Sequence, residues 1–163
     1  MAVFEYRQAT EIRDALRRRL VKYLFIGKSG AILLGFPDTT QDADLFVEKT
    51  PENGRALADA LRDLGFQLTE EQCQDLERGK DFVQLKNGPF DLYVIYAPDG
   101  IEHFAGAWSR HVDVEGFPVC HIDDIIASKE AANRVRDRES LSRLRAFRDW
   151  LRSSRMPPKS NLH

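Results

Sequence analysis

Three aspartates stand where the apolar pattern of the chain gives no reason for them. Asp42 and Asp44 open the run Asp42-Ala43-Asp44-Leu45-Phe46-Val47, and Asp91 lies near the start of the run from Pro89 to Tyr96. Both runs are strongly β-prone. Side chains alternate along a strand, so Asp42, Asp44 and Phe46 share one face, and Ala43, Leu45 and Val47 share the other. Two carboxylates side by side repel, and a hard divalent cation such as Mg²⁺ or Mn²⁺ offsets that repulsion. Taken alone, Asp-x-Asp also fits two solvated aspartates at a strand edge. A third carboxylate at the start of a second strand points to a set of three. Such a set can hold two divalent ions about 3.5–4 Å apart, the arrangement used for in-line phosphoryl or nucleotidyl transfer.

The elements that must position these groups begin at Tyr23-Leu24-Phe25-Ile26, an apolar run that reads as a buried strand ended by Gly27. Ser29 to Leu34 can make one or two helical turns, stopped by Gly35 and Pro37. Gly27-Lys28-Ser29 is not a Walker A loop, because that motif needs a glycine at the position of Lys22. Lys28 in a glycine turn is still well placed to meet phosphate, beside backbone N–H groups that attract anions. An exposed loop lysine is the other reading of it. Phe82 to Leu85 and Phe90 to Tyr96 read as a hairpin turned by Lys86-Asn87-Gly88-Pro89.

Gly-x-Ser, then Asp-x-Asp on a following strand, then one Asp on a later strand resembles the DNA-polymerase-β-like nucleotidyltransferase superfamily. The closer likeness is to its small bacterial and archaeal members, including the AbiEii-type toxin-like proteins. It covers the chain from about Tyr23 to Leu144. Gly35-Phe36-Pro37-Asp38-Thr39-Thr40-Gln41-Asp42-Ala43-Asp44 is similar to the family's Gly-x-Pro-Arg-x-Thr-x-Asp-x-Asp. Ile122-Asp123-Asp124-Ile125-Ile126-Ala127-Ser128-Lys129, with Arg134-Val135-Arg136-Asp137, is similar to its C-terminal helix. The resemblance implies an α/β (α+β) nucleotidyltransferase fold, a mixed sheet flanked by helices with a C-terminal helical segment. It implies Asp42, Asp44 and Asp91 as metal ligands, with Gly27, Lys28, Ser29 and Lys129 as nucleotide contacts. It also implies a nucleoside triphosphate such as ATP as substrate, Mg²⁺ or Mn²⁺ as cofactor, and RNA or tRNA as one acceptor, with a small molecule or a protein hydroxyl as others. An antitoxin protein is a partner in the toxin-like case, and a catalytically weak binding protein in a toxin–antitoxin pair is the rival reading. Two positions depart from the pattern. Lys28 stands where the family has the second small residue of its Gly-Gly or Gly-Ser pair, and Asp38 stands where it has arginine.

A chain of 163 residues, 42% hydrophobic and 31% charged, suits one globular domain, expected over 1–155 with a loose tail over 156–163. No apolar run approaches membrane-spanning length, no h-region follows Met1, and Cys73 and Cys120 lack metal spacing, so a reduced cytoplasmic protein is expected. Helices are expected over Ala9 to Val21, Pro51 to Leu64 and Ile101 to Trp108, and a helical segment over about 123–153 with Asp123 as its cap. Phe66 to Leu68 reads as a short strand and Glu70 to Lys80 as a loop or short helix. His111 to Val114 and Phe117 to Cys120 read as a hairpin over Glu115-Gly116. His103, His111 and His121 lack ligand spacing and read as structural or surface residues. Net charge is −2, yet Lys129 to Arg155 carries nine Lys or Arg against four Asp or Glu, a local +5. With the arginines of the first helix, that segment offers either a track for an RNA backbone or two solvated helix faces.

Overall fold

The computed structural model describes residues 4–155; the tail expected from Met156 onward lies outside them. The first helix, α1 (Tyr6–Arg18), turns Ala9, Ile12, Ala15 and Leu16 inward at helical spacing. It starts before the expected Ala9 because Gln8 Oε1 accepts the Glu5 N–H at 3.1 Å and closes the first turn. It ends before Val21, where Leu20 adopts a φ of 58°. The chain then lays down β1 (Tyr23–Ile26), α2 (Gly27–Leu33) and β2 (Asp42–Val47). β1 and β2 are antiparallel, with Ile26 opposite Asp44 and Tyr23 opposite Val47. α2 and the loop after it are therefore the connection of one long hairpin.

α3 (Pro51–Leu64) has the expected bounds: Thr50 accepts the Asn53 N–H, Pro51 opens the first turn, and Gly65 ends it at a φ of 106°. α4 (Glu70–Arg78) is a full helix because Thr69 and Gln72 cap one another's backbone N–H groups. β3 (Phe82–Leu85) and β4 (Asp91–Ile95) make the expected hairpin. β4 also pairs parallel with β2, setting Asp42 beside Asp91 and Asp44 beside Tyr93. After α5 (Phe104–Arg110), β5 (Val112–Val114) and β6 (Phe117–Val119) form a hairpin over Glu115-Gly116, and β6 runs parallel to β1. The sheet is mixed, in the order β3-β4-β2-β1-β6-β5. α6 (Ile122–Ala132) and α7 (Val135–Arg155) complete the chain.

Strand alternation sorts the core into two layers. Phe25, Leu45, Val47, Leu92 and Val94 pack with α1, α3 and α4 on one face. Leu24, Ile26 and Phe46 pack with Ala31 of α2, Ile125 and Ile126 of α6, and Leu141, Leu144 and Phe147 of α7 on the other. This is the expected mixed sheet flanked by helices with a C-terminal helical segment. Among the described residues, no helix is long and apolar enough to cross a membrane.

The structure corrects the sequence reading in three places. Phe66 to Leu68 is not a strand: Phe66 is buried and its N–H closes the end of α3 on Leu61 O, leaving Gln67 N–H to reach Asn87 O singly. Asp123 is not a cap: His121 holds that position, its Nδ1 accepting the Asp123 N–H at 3.0 Å. The expected continuous last helix is two helices, because Asn133 takes a φ of 49° and ends α6. Val135, at the start of α7, is 79% exposed.

An ion-pair network spans that break. Asp137 on α7 accepts from Lys129 of α6 at 3.2 Å and from Arg134 in the joint at 2.8 Å. Its side chain is only 6% exposed. Burial by itself would raise the Asp137 pKa, but Arg134 and Lys129 outweigh it and hold the carboxyl below its ordinary value of 3.8. A depressed folded-state pKa contributes stability that is complete above the ordinary value and is lost as pH falls through the depressed one. Asp137→Asn should therefore cost about 1.5–3 kcal/mol at neutral pH, the size of hydrogen bonds to charged groups. The difference from the unsubstituted protein should shrink as pH falls below 3.8. Urea unfolding at a series of pH values reads both effects.

Candidate active site

The hairpin of β1, α2 and β2 brings a glycine turn under a carboxylate. Gly27 has a φ of 65°, and a Cβ built on it would lie 2.4 Å from Asp44 Oδ2. Asp44 thus occupies the space that any other residue at 27 would need. Ser29 fixes the backbone of the same aspartate. It is fully buried, its hydroxyl donates to Ile26 O at 3.0 Å, and it accepts the Asp44 N–H at 3.0 Å. The sequence pattern makes Ser29 a phosphate contact; the structure uses its hydroxyl inside the fold, tying the end of β1 to Asp44.

Asp42 and Asp44 open into a cavity of about 600 Å³. The sheet supplies one wall, with Tyr93 and Ile95 of β4 and Phe82 of β3 beside the two carboxylates. α6 and α7 supply the other, with Ser128, Lys129 and Asp137. Gly27 and Lys28 stand at the turn between them. Asp91, though level with Asp42 across the parallel pair, is not among the lining residues. Among the described residues, no three His, Cys, Asp or Glu side chains gather into a metal-holding group.

The positive charges of the cavity are already engaged by carboxylates. Lys28 Nζ lies 3.3 Å from Asp38 Oδ2, and Arg143 Nη2 donates to the same oxygen at 2.9 Å. Burial favours the protonated form of Asp38, but the Thr39 N–H, Arg143 and Lys28 together hold its pKa below the ordinary value. Lys129, 11% exposed at its side chain, is held by Asp137. The donor set around Asp42 and Asp44 is oxygen-only, adjacent and reached from the cavity, which suits a hard divalent cation.

Of the residues singled out in the sequence, Gly27, Lys28, Asp42, Asp44 and Lys129 line one cavity, Ser29 is buried outside its lining, and Asp91 lies beside Asp42 outside that lining. Two departures from the family pattern, Lys28 and Asp38, turn out to be one ion pair. Arg143 was not separable in the sequence from the other arginines of its helix, since its partner lies 105 residues away. The arginine-rich helices spend much of their charge within the fold. Arg13 and Arg17 donate to carbonyls of the β5–β6 turn, and Arg19 chelates Asp63. Arg145 and Arg152 pair with Glu130 and Asp123.

No protein-family model matches the sequence, and no curated protein does. Among solved structures, the chain is similar to a Thermotoga maritima protein described as "a putative nucleotidyltransferase". The two are 16% identical, the likeness covers 90% of this chain and 92% of that one, and the TM-score is 0.47.

Gly27→Ala should displace Asp44 and strain the turn, with a cost in stability of about 1–2 kcal/mol for the left-handed backbone alone. Ser29→Ala should lose about 1 kcal/mol by removing a buried bracket. It should leave the affinity for inorganic triphosphate unchanged, because the hydroxyl does not face the cavity. Denaturant unfolding and calorimetry on the two variants check both statements.

Proposed function

We propose that the chain is a metal-dependent nucleotidyltransferase of the polymerase-β-like class. It moves a nucleoside monophosphate group from a nucleoside triphosphate, such as ATP, to an acceptor hydroxyl with release of pyrophosphate. The observation that carries this reading is the placement of Asp42 and Asp44 side by side on β2, opening into a cavity whose turn and opposite wall carry Lys28 and Lys129. Asp42 and Asp44 would hold Mg²⁺ or Mn²⁺; Asp91, beside Asp42 on the neighbouring strand but outside the cavity lining, would join them as third ligand only by turning toward the same ion. A bound cation of this kind neutralises triphosphate charge and lowers the pKa of the attacking hydroxyl.

The chain's own residues divide the remaining work. Lys28 and Lys129 attract and orient phosphate oxygens. Asp91, beside Asp42, receives the proton of the acceptor hydroxyl. The hydroxyl oxygen bonds to the α-phosphorus. The bond from that phosphorus to the bridging oxygen breaks, and its electron pair leaves on pyrophosphate. The wall formed by α6 and α7 limits the entry of competing water. A cytoplasmic setting belongs to the same reading, and Cys73 and Cys120 are free thiols. An RNA or tRNA acceptor and an antitoxin partner belong to its toxin-like form.

One observation favours the rival, a nucleotidyltransferase-like binding protein with weak catalysis: Lys28 is paired with Asp38 rather than left open to the cavity. Activity separates the two. Incubation with each α-labelled nucleoside triphosphate, Mg²⁺ or Mn²⁺, and total RNA or protein should leave label on one acceptor class. Asp44→Ala should reduce that transfer by more than about 100-fold, since losing even a group that only hydrogen-bonds to a metal ligand costs about 10–100-fold in metal affinity or activity. Its thermal midpoint should stay near that of the unsubstituted protein. Transfer that survives Asp44→Ala refutes the assignment.

A further inference from the structure

Asp38 holds two cations on one oxygen, and one of them, Lys28, lines the cavity. Lys28 Nζ is 3.3 Å and Arg143 Nη2 2.9 Å from Asp38 Oδ2. Two donors converging on a single anionic oxygen is the arrangement a terminal phosphate oxygen calls for. Lys28 lines the cavity beside Gly27, Asp42 and Asp44, while Asp38 and Arg143 lie next to it outside that lining. We propose that Lys28 and Arg143 form a phosphate subsite that Asp38 fills until a terminal phosphate of the nucleoside triphosphate displaces it. The proposal rests on the nucleotidyl-transfer reading and adds Arg143 and Asp38 to it.

The geometry allows the exchange at this carboxylate and not at its counterpart. Asp137 also holds two cations, but it is 6% exposed and ties α6 to α7. Asp38 is 19% exposed and lies on the loop between α2 and β2, and its partners Lys28 and Arg143 are 31% and 53% exposed. Arg143 keeps its position without Asp38, because its guanidinium also lies 5.3 Å from the centre of the Phe36 ring, and Phe36 packs on Phe147. Asp38 keeps a partner without the cations, because its other oxygen accepts the Thr39 N–H at 2.7 Å. A phosphate brings more charge than a carboxylate and can take both cations, while Asp38 turns to water and to its own loop. Asp38 is then an internal competitor that sets the concentration at which the triphosphate is held.

The test is calorimetric binding of inorganic triphosphate with Mg²⁺, which has no base or sugar to obscure phosphate contacts. Asp38→Asn, nearly isosteric, should tighten binding about five- to thirty-fold, as expected for the release of two partly exposed ion pairs. Asp38→Ser should act in the same direction. Asp99→Asn removes an equal charge from the cavity lining and should change the affinity by no more than about twofold, since a solvent-exposed charge is largely screened. Arg143→Met should abolish most of the gain when combined with Asp38→Asn. Thermal unfolding of each variant establishes that it is folded. Binding unchanged or weakened in both Asp38 variants overturns the subsite, as does a gain that survives Arg143→Met or one matched by Asp99→Asn. In those cases triphosphate still binds and the nucleotidyl-transfer reading stands. If neither the unsubstituted protein nor any variant binds triphosphate with Mg²⁺, that reading falls and the subsite falls with it.

Discussion

A single close approach governs the site. Asp44 Oδ2 occupies the volume that a side chain at position 27 would fill, and the turn at Gly27 has a backbone conformation that L side chains rarely adopt. The first strand can end, turn and begin α2 directly beneath the carboxylate only because nothing projects from that turn. Ser29 then secures Asp44 through its backbone N–H, and the Ile26–Asp44 register follows. The remaining elements adjust to this hairpin. β4 adds alongside β2 and brings Asp91 level with Asp42, while α6 and α7 close the opposite wall.

Charge in the cavity is apportioned rather than summed. Its lysines are held by Asp38 and Asp137, carboxylates that arrive from a loop and from the last helix. Asp42 and Asp44 stand next to one another on the sheet face between those clamps. Adjacent carboxylates in a partly enclosed site favour whatever brings concentrated positive charge. Under the proposed function a divalent ion would supply that charge, with its hard oxygen preference.

Most of the fold could be read in the sequence, because apolar alternation and capping residues act over short distances. Tyr23–Ile26, Asp42–Val47 and Pro51–Leu64 have the bounds their patterns imply. Misreadings fell where a local signal competed with a distant or backbone one. Asn133 took a left-handed conformation that split an otherwise continuous helical pattern, and Phe66 was apolar because it is buried under the sheet, not because it pairs in it. The site was legible in its residue types and only partly in their roles. Ser29 carries the right chemistry for a phosphate contact, yet burial commits its hydroxyl to the backbone. The pairing of Asp38 with Lys28 and Arg143 depends on the docking of α7, which no local pattern encodes.

The parallel pairing of β2 with β4 has a consequence for the order in which the site comes into being. Ser29 and Asp44 are 15 residues apart and meet inside one hairpin. Asp42 and Asp91 meet only after α3, α4 and β3 have been threaded between them. Loop closure costs more for the longer connection, and parallel pairing of this kind is slow. The glycine turn and the first two carboxylates therefore assemble early, and the third joins late.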